Sequence, residues 1–122
     1  MVRRFGSKGY QGNDARAQQM WQILVAAASN RQILTYKVMA GLIGYAGPGV
    51  LGDPLAHIAY WCKKNHTPPL TSIVVNEKTG HPGKGIPVKK ASTFREQVYA
   101  YQWFKLVPPT REELREAHDA YV

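Results

Sequence analysis

The sequence predicts a mainly α fold with a small β-hairpin, a winged helix-turn-helix. Three observations carry this reading. Between Leu34 and Pro87 the segments run helix, glycine-rich turn, helix, short apolar strand, tight turn and returning strand. Start and stop residues stand at the joints: Thr35 before the first of these helices, Gly44 after it, and Asp53-Pro54 before the second. The balance of 16 Lys and Arg against 8 Asp and Glu gives a net charge of +8. That charge suits an element order that offers its second helix and its wing to a nucleic-acid groove.

Each element has its own grounds. Residues 1–12 hold Gly6, Gly9 and Gly12 beside Arg3, Arg4 and Lys8. They can bury little, so a flexible basic arm is expected ahead of a single domain over 13–122. Asn13 is placed to cap a helix to about Asn30, with Ala17, Met20, Trp21, Leu24 and Ala28 at helical spacing on its core side. Thr35 caps the next helix, whose apolar residues are Val38, Met39, Leu42 and Ile43. Gly44 suits the left-handed residue that ends it, and Pro48 among three further glycines turns the chain. Asp53 then caps a helix with Pro54 at its first position, where a missing N–H costs nothing. Leu55, Ile58, Ala59 and Cys62 form its buried stripe, which leaves His57, Tyr60, Trp61, Lys63 and Lys64 on the other sides.

Thr67-Pro68-Pro69 stops that helix, and Leu70 to Val75 reads as a buried strand. Residues 77–85 form the wing tip, and Ile86-Pro87-Val88 returns as an edge strand. Thr93 with Glu96 reads as a capping box for a helix carrying Phe94, Val98, Tyr101 and Phe104, broken by Pro108-Pro109. Thr110 with Glu113 is a second box, opening a terminal helix with Leu114, Ala117 and Tyr121.

Composition sets limits. At 122 residues the chain is one domain, and its 44% apolar residues suffice for a core. No apolar run approaches the roughly 20 residues needed to span a bilayer, so no membrane association is expected. Arg3 and Arg4 are not followed by the apolar stretch of a secretory signal. The single cysteine excludes an intrachain disulfide and fits a cytoplasmic location. Charge is uneven: twelve Lys and Arg against three acids over residues 1–90, an excess of +9, and four against five over 91–122. A basic working body with a near-neutral C-terminal piece follows.

Chemistry finds little to stand on. Zinc sites want four ligands, commonly in paired Cys or His spacings. Here Cys62 is alone, His57 and His66 flank it at five and four residues, and His81 is distant. Neither a metal nor another cofactor is expected. A Cys62–His57 thiolate pair is disfavoured, because residues five apart on a helix do not face each other. The glycines and lysines of 78–85 suit phosphate contact or an ordinary hairpin turn, but the Walker spacing is missing.

Several runs resemble a known family. Thr35-Tyr36-x-x-x-Ala40-x-x-Ile43-Gly44, Val50-x-Gly52, Pro68-Pro69-Leu70-Thr71-x-Ile73-Val74-Val75-Asn76 and Gly80-x-Pro82-Gly83 are together similar to the DNA-binding domain of O6-alkylguanine-DNA alkyltransferases and alkyltransferase-like proteins. The resemblance covers roughly residues 33–87. It implies a winged helix-turn-helix that enters the minor groove and flips a damaged base. The departures lie at the reactive positions. Thr71, Ser72 and Ile73 stand where that family has Cys or Trp, then His and Arg, and Pro48-Gly49-Val50-Leu51-Gly52 offers no arginine where the family's intercalating one lies, shortly before a Val-Gly pair. Without the cysteine there is no alkyl transfer, and without a wedge the stack is not held open.

The expectation is a non-catalytic nucleic-acid binder, with duplex DNA as partner. Tyr36, His57, Tyr60 and Trp61 would meet a groove or an unstacked base. Lys63, Lys64, Lys78, Lys84, Lys89 and Lys90 would contact phosphates. Two alternatives stand beside it. One is an interaction module of inhibitor or immunity type, using the same basic aromatic face on an acidic protein. The other is an enzyme on nucleic acid using Thr71, Ser72, His57 or His81, for which no base and orienting group can be paired.

Overall fold

The computed structural model describes residues 2–45, 47–76 and 91–121. The expected wing at 77–85, the returning strand at 86–88, and His81, Lys78, Lys84, Lys89 and Lys90 lie outside them. The described chain is mainly helical. Helix α1 (Asn13–Ser29) leads through strand β1 (Leu34–Thr35) into α2 (Tyr36–Leu42) and a 3-10 turn, Pro48–Val50. Helix α3 (Gly52–Lys64) follows, then a second 3-10 turn (Leu70–Ile73) and strand β2 (Val74–Val75). Helix α4 (Ala91–Ala100), a third 3-10 turn (Trp103–Lys105) and α5 (Arg111–Tyr121) complete it.

The two strands run parallel, Leu34 opposite Val74 and Thr35 opposite Val75. The described pairing is therefore not a hairpin. The expected strand from Leu70 is a 3-10 turn for four residues and extended for only two. Every residue from Leu70 to Val75 is buried, so no alternation of exposure marked one conformation over the other.

Helix ends follow local chemistry where it was legible. Thr35 Oγ1 accepts the Val38 N–H at 3.1 Å, and Gly44 sits at φ +81°. In the second capping box, Glu113 N–H donates to Thr110 Oγ1 and Thr110 N–H to Glu113 Oε1, each at 3.1 Å. Helices α1 and α3 end the same way as α2, but with Arg31 and His66 as the left-handed residue. Behind them Gln32 N–H returns to the Ala27 carbonyl and Thr67 N–H to that of Cys62.

Four expected ends are corrected. Gly12, extended, precedes α1, and the Asn13 amide instead donates to Asp53 Oδ2 at 2.6 Å. Asp53 does not cap α3. The 3-10 turn feeds straight into the helix and Leu51 is already in the helical region, whereas a capping residue needs extended backbone. Helix α4 includes Ala91, ahead of Thr93, and Glu96 turns to Arg31 at 2.6 Å. It ends at Ala100, eight residues before Pro108. The chain tightens there so that Trp103 enters the core, while Phe104 is left 72% exposed.

The core is organised on three tryptophans. Trp21 of α1 meets Trp61 of α3 at 5.1 Å and Trp103 at 5.8 Å, both edge to face. Trp103 Nε1–H donates to the Val98 carbonyl at 2.8 Å, which satisfies its polar tip inside the core. Leu24, Leu55, Ile58, Ile73 and Leu114 close around them. Helix α3 is the central element, packed against α1, α5 and the Leu70–Ile73 turn. Cys62 shares its buried stripe with Leu55, Ile58 and Ala59, as the sequence predicts. Among the described residues no helix is long and apolar enough to cross a membrane.

Trp61→Ala should therefore destabilise the fold by about 3–5 kcal/mol, the usual cost of removing a core Trp. Lys64→Ala, on the exposed last turn, should stay within about 0.5 kcal/mol. Urea midpoints of the two variants test the contrast.

Candidate nucleic-acid interface

The expected aromatic face of α3 is not a free surface. His57 is 4% exposed and Trp61 8% exposed. Tyr60 is half-buried, with its ring stacked on Tyr121 of α5 at 5.2 Å and 3° between planes. The single-stripe reading fails because α3 is covered on two sides. Helix α1 takes the Leu55–Cys62 stripe together with Trp61, and α5 lies over His57 and Tyr60. Nothing in the residues 53–64 alone signals that second cover; it arrives from a helix nearly fifty residues later. Tyr36 is half-buried at the start of α2 and packs against the core.

Of the expected phosphate contacts, Lys63 and Lys64 are exposed at the end of α3. Lys63 Nζ stands 5.2 Å above the Tyr121 ring. Lys37 is exposed on α2, and Arg4, Lys8 and Lys105 are exposed elsewhere. None of these six makes an ion pair with a described acid. Most of the described acids are engaged within the fold instead, while Glu112 and Glu116 are exposed on α5. Asp14 holds Arg111 and Arg115 at 3.5 and 3.2 Å, Glu96 holds Arg31, and Asp53 and Asp119 both reach His118. Cation-rich chemistry is thus left facing outward.

Apolar side chains are also left out. Val38 and Leu42, expected to face the core, are 48% and 59% exposed on one side of α2, and Val50 is 58% exposed in the neighbouring 3-10 turn. The helix is held instead by Met39 and Ala40. Arg16 fixes its end, donating to the Ile43 carbonyl at 2.8 Å and lying over the Tyr45 ring. A cleft of about 580 Å³ opens between Asn13, Tyr45, Gly47, Gly49 and Val50.

A cluster missed in the sequence sits where α3 begins and α5 ends. His57 and His118 stack at 4.0 Å with 12° between planes. His118 Nε2 lies 2.9 Å from Asp53 Oδ1 and its Nδ1 3.2 Å from Asp119 Oδ1. His57 Nδ1 donates to the Asp53 carbonyl at 2.8 Å. The 65 residues between Asp53 and His118 hid the group from any reading by spacing.

Two buried groups bear on chemistry. Burial pushes the Cys62 thiol up, against weaker pulls from Thr67 and Leu70, so the thiolate needed for nucleophilic work is disfavoured. Thr71 and Ser72, at the positions of the reactive residues in the family resemblance, are buried, and their hydroxyls find no hydrogen-bond partner among the described residues.

Thr71→Val keeps the side-chain shape and removes a stranded hydroxyl, so it should raise stability by about 1 kcal/mol. A urea titration reads the difference, and a loss of stability would mean that the hydroxyl is satisfied. For His57, burial is the largest influence and lowers its pKa from 6.5; the Asp53 carbonyl opposes it, His118 reinforces it, and the Asp53 and Asp14 carboxylates pull back. The folded state then binds fewer protons at this ring than the unfolded chain. Its contribution is full above roughly pH 6.5 and is lost as pH falls through the folded value. The urea midpoint in chelating buffer should fall from about pH 7.5 to about pH 5, less steeply in His57→Gln. Equal slopes in both proteins would remove the role given to His57. Comparison with models of known families, with characterised proteins and with solved structures finds no match to this chain.

Proposed function

We propose that this protein binds nucleic acid without catalysis, as a winged-helix module whose partner is duplex DNA. The observation that carries the reading is the division of charge. Asp14, Asp53, Glu96 and Asp119 are held in contacts within the fold, while Arg4, Lys8, Lys37, Lys63, Lys64 and Lys105 stand exposed without a described acid partner and outnumber the exposed, uncommitted Glu112 and Glu116. A surface so divided attracts a polyanion and releases its counterions. The succession of α2, a glycine-rich turn and α3 supports the helix-turn-helix reading, as does the resemblance over residues 33–87 to alkyltransferase-like DNA-binding domains.

The buried aromatic face changes how such binding works. Trp61 and His57 are committed to packing, so α3 contributes Lys63 and Lys64 to phosphates rather than a row of base contacts. Base-edge or stacking contacts then belong to the α2 side, where Val38, Leu42 and Val50 are exposed.

A second reading rests on the same three side chains. Exposed apolar groups beside Lys37 also suit a protein surface of acidic and apolar character. A titration with duplex DNA separates the two. Binding should weaken with a slope of log K against log salt of roughly −4 to −5, for about four to six phosphate contacts. Lys63→Ala and Lys64→Ala should each flatten that slope by about one contact. Absence of binding at low salt, or affinity unchanged by salt, rejects the DNA reading and favours the protein partner.

A further inference from the structure

We propose that Asp53, His57 and His118 form a binding site for a late first-row divalent cation, of the Zn²⁺, Co²⁺ or Ni²⁺ class. One donor atom from each residue lies within 4.8 Å of the other two. Two imidazoles and a carboxylate are the donor set of many three-ligand metal sites, which leave a fourth position open. Nitrogen donors favour these ions over Mg²⁺ or Ca²⁺, which prefer all-oxygen surroundings.

The surroundings of the three residues strengthen the case. A histidine that ligates a metal at one nitrogen usually donates its other N–H to a carbonyl or carboxylate, which fixes ring and tautomer. Both rings have such a partner here. His57 Nδ1–H is held by the Asp53 carbonyl at 2.8 Å and Nδ1 lies 3.9 Å from Asp53 Oδ2, so the lone pair offered to an ion is that of Nε2. His118 Nδ1 faces Asp119 Oδ1 at 3.2 Å, while its Nε2 is the atom next to Asp53 Oδ1. The ligand carboxylate is itself oriented, because Asp53 Oδ2 accepts from the Asn13 amide at 2.6 Å. A cation between Nε2 and Asp53 would stand where a proton otherwise bridges them, and would leave Nδ1–H to Asp119.

The site has one fixed wall and one adjustable rim. The His57 side chain is 5% exposed, that of His118 15% and that of Asp53 49%. Bonds of about 2.0–2.2 Å place tetrahedral donors roughly 3.4 Å apart. The two rings stand in near-parallel planes 12° apart, so His118 must turn out of the stack, and Asp53 draw in toward His57, for their lone pairs to converge as the ion enters. Binding would clamp the end of α5 to the start of α3.

The test uses the full, tag-free chain stripped with chelator, titrated with Zn²⁺ by calorimetry and with Co²⁺ by visible absorption. The expected result is one saturable equivalent of each, Co²⁺ ligand-field bands, and a melting temperature raised by Zn²⁺. His118→Ala and Asp53→Asn, both at the rim, should abolish uptake while keeping the far-ultraviolet circular dichroism of the parent. Asp119→Asn should weaken it about 10–100-fold through the outer partner. His66→Ala, an exposed histidine outside the cluster, should change nothing. No saturable uptake by the parent protein, uptake surviving in both rim variants, or uptake lost in His66→Ala would overturn the proposal.

Discussion

The edge-to-face contact of Trp21 with Trp61 and Trp103 is the constraint on which the rest of the structure depends. It draws on all three tryptophans of the chain and joins α1, α3 and the turn between α4 and α5. Aromatic pairs of this geometry add roughly 0.5–1.5 kcal/mol each beyond the area they bury. Their larger effect is topological. With Trp61 turned toward α1, the opposite side of α3 faces the chain that follows Trp103, and α5 closes over it. A helix that reads as half-exposed becomes the centre of the domain.

That arrangement determines where polar chemistry can lie. The start of α3 meets the N-terminal end of α1 and the C-terminal end of α5, and Asp53 serves all three through Asn13, His57 and His118. Asp14, in the first turn of α1, performs a related task with Arg111 and Arg115. With these acids tied to neighbours inside the fold, the lysines at the end of α3 and on α2 stand exposed without a described acid partner.

Local chemistry was readable wherever one residue acts on its own backbone. Thr35 and the Thr110–Glu113 box satisfy N–H groups within four residues, and Gly44 takes up a conformation that only its neighbours require. The buried stripe of Leu55, Ile58, Ala59 and Cys62 was legible for a similar reason, since helical periodicity is a local property. Misreadings occurred where a side chain had a distant choice. Asn13 and Asp53 have good capping chemistry, but they bond each other across 40 residues. Leu70–Val75 has β-branched residues in plenty, yet burial on all sides left no periodicity to decide between strand and turn.

The sequence by itself determined a mainly helical fold, the caps at Thr35 and Thr110, the left-handed Gly44, the Leu55–Cys62 stripe, and an excess of cations over acids. Those properties depend on residues within a turn or two of each other, or on simple counts. The tertiary structure alone decided that α3 has two buried sides, that β1 and β2 run parallel, and that His118 stands against His57 and Asp53. Each of these joins segments dozens of residues apart. Periodicity can say that a face is apolar, but not how many neighbours will cover a helix or which helix will arrive.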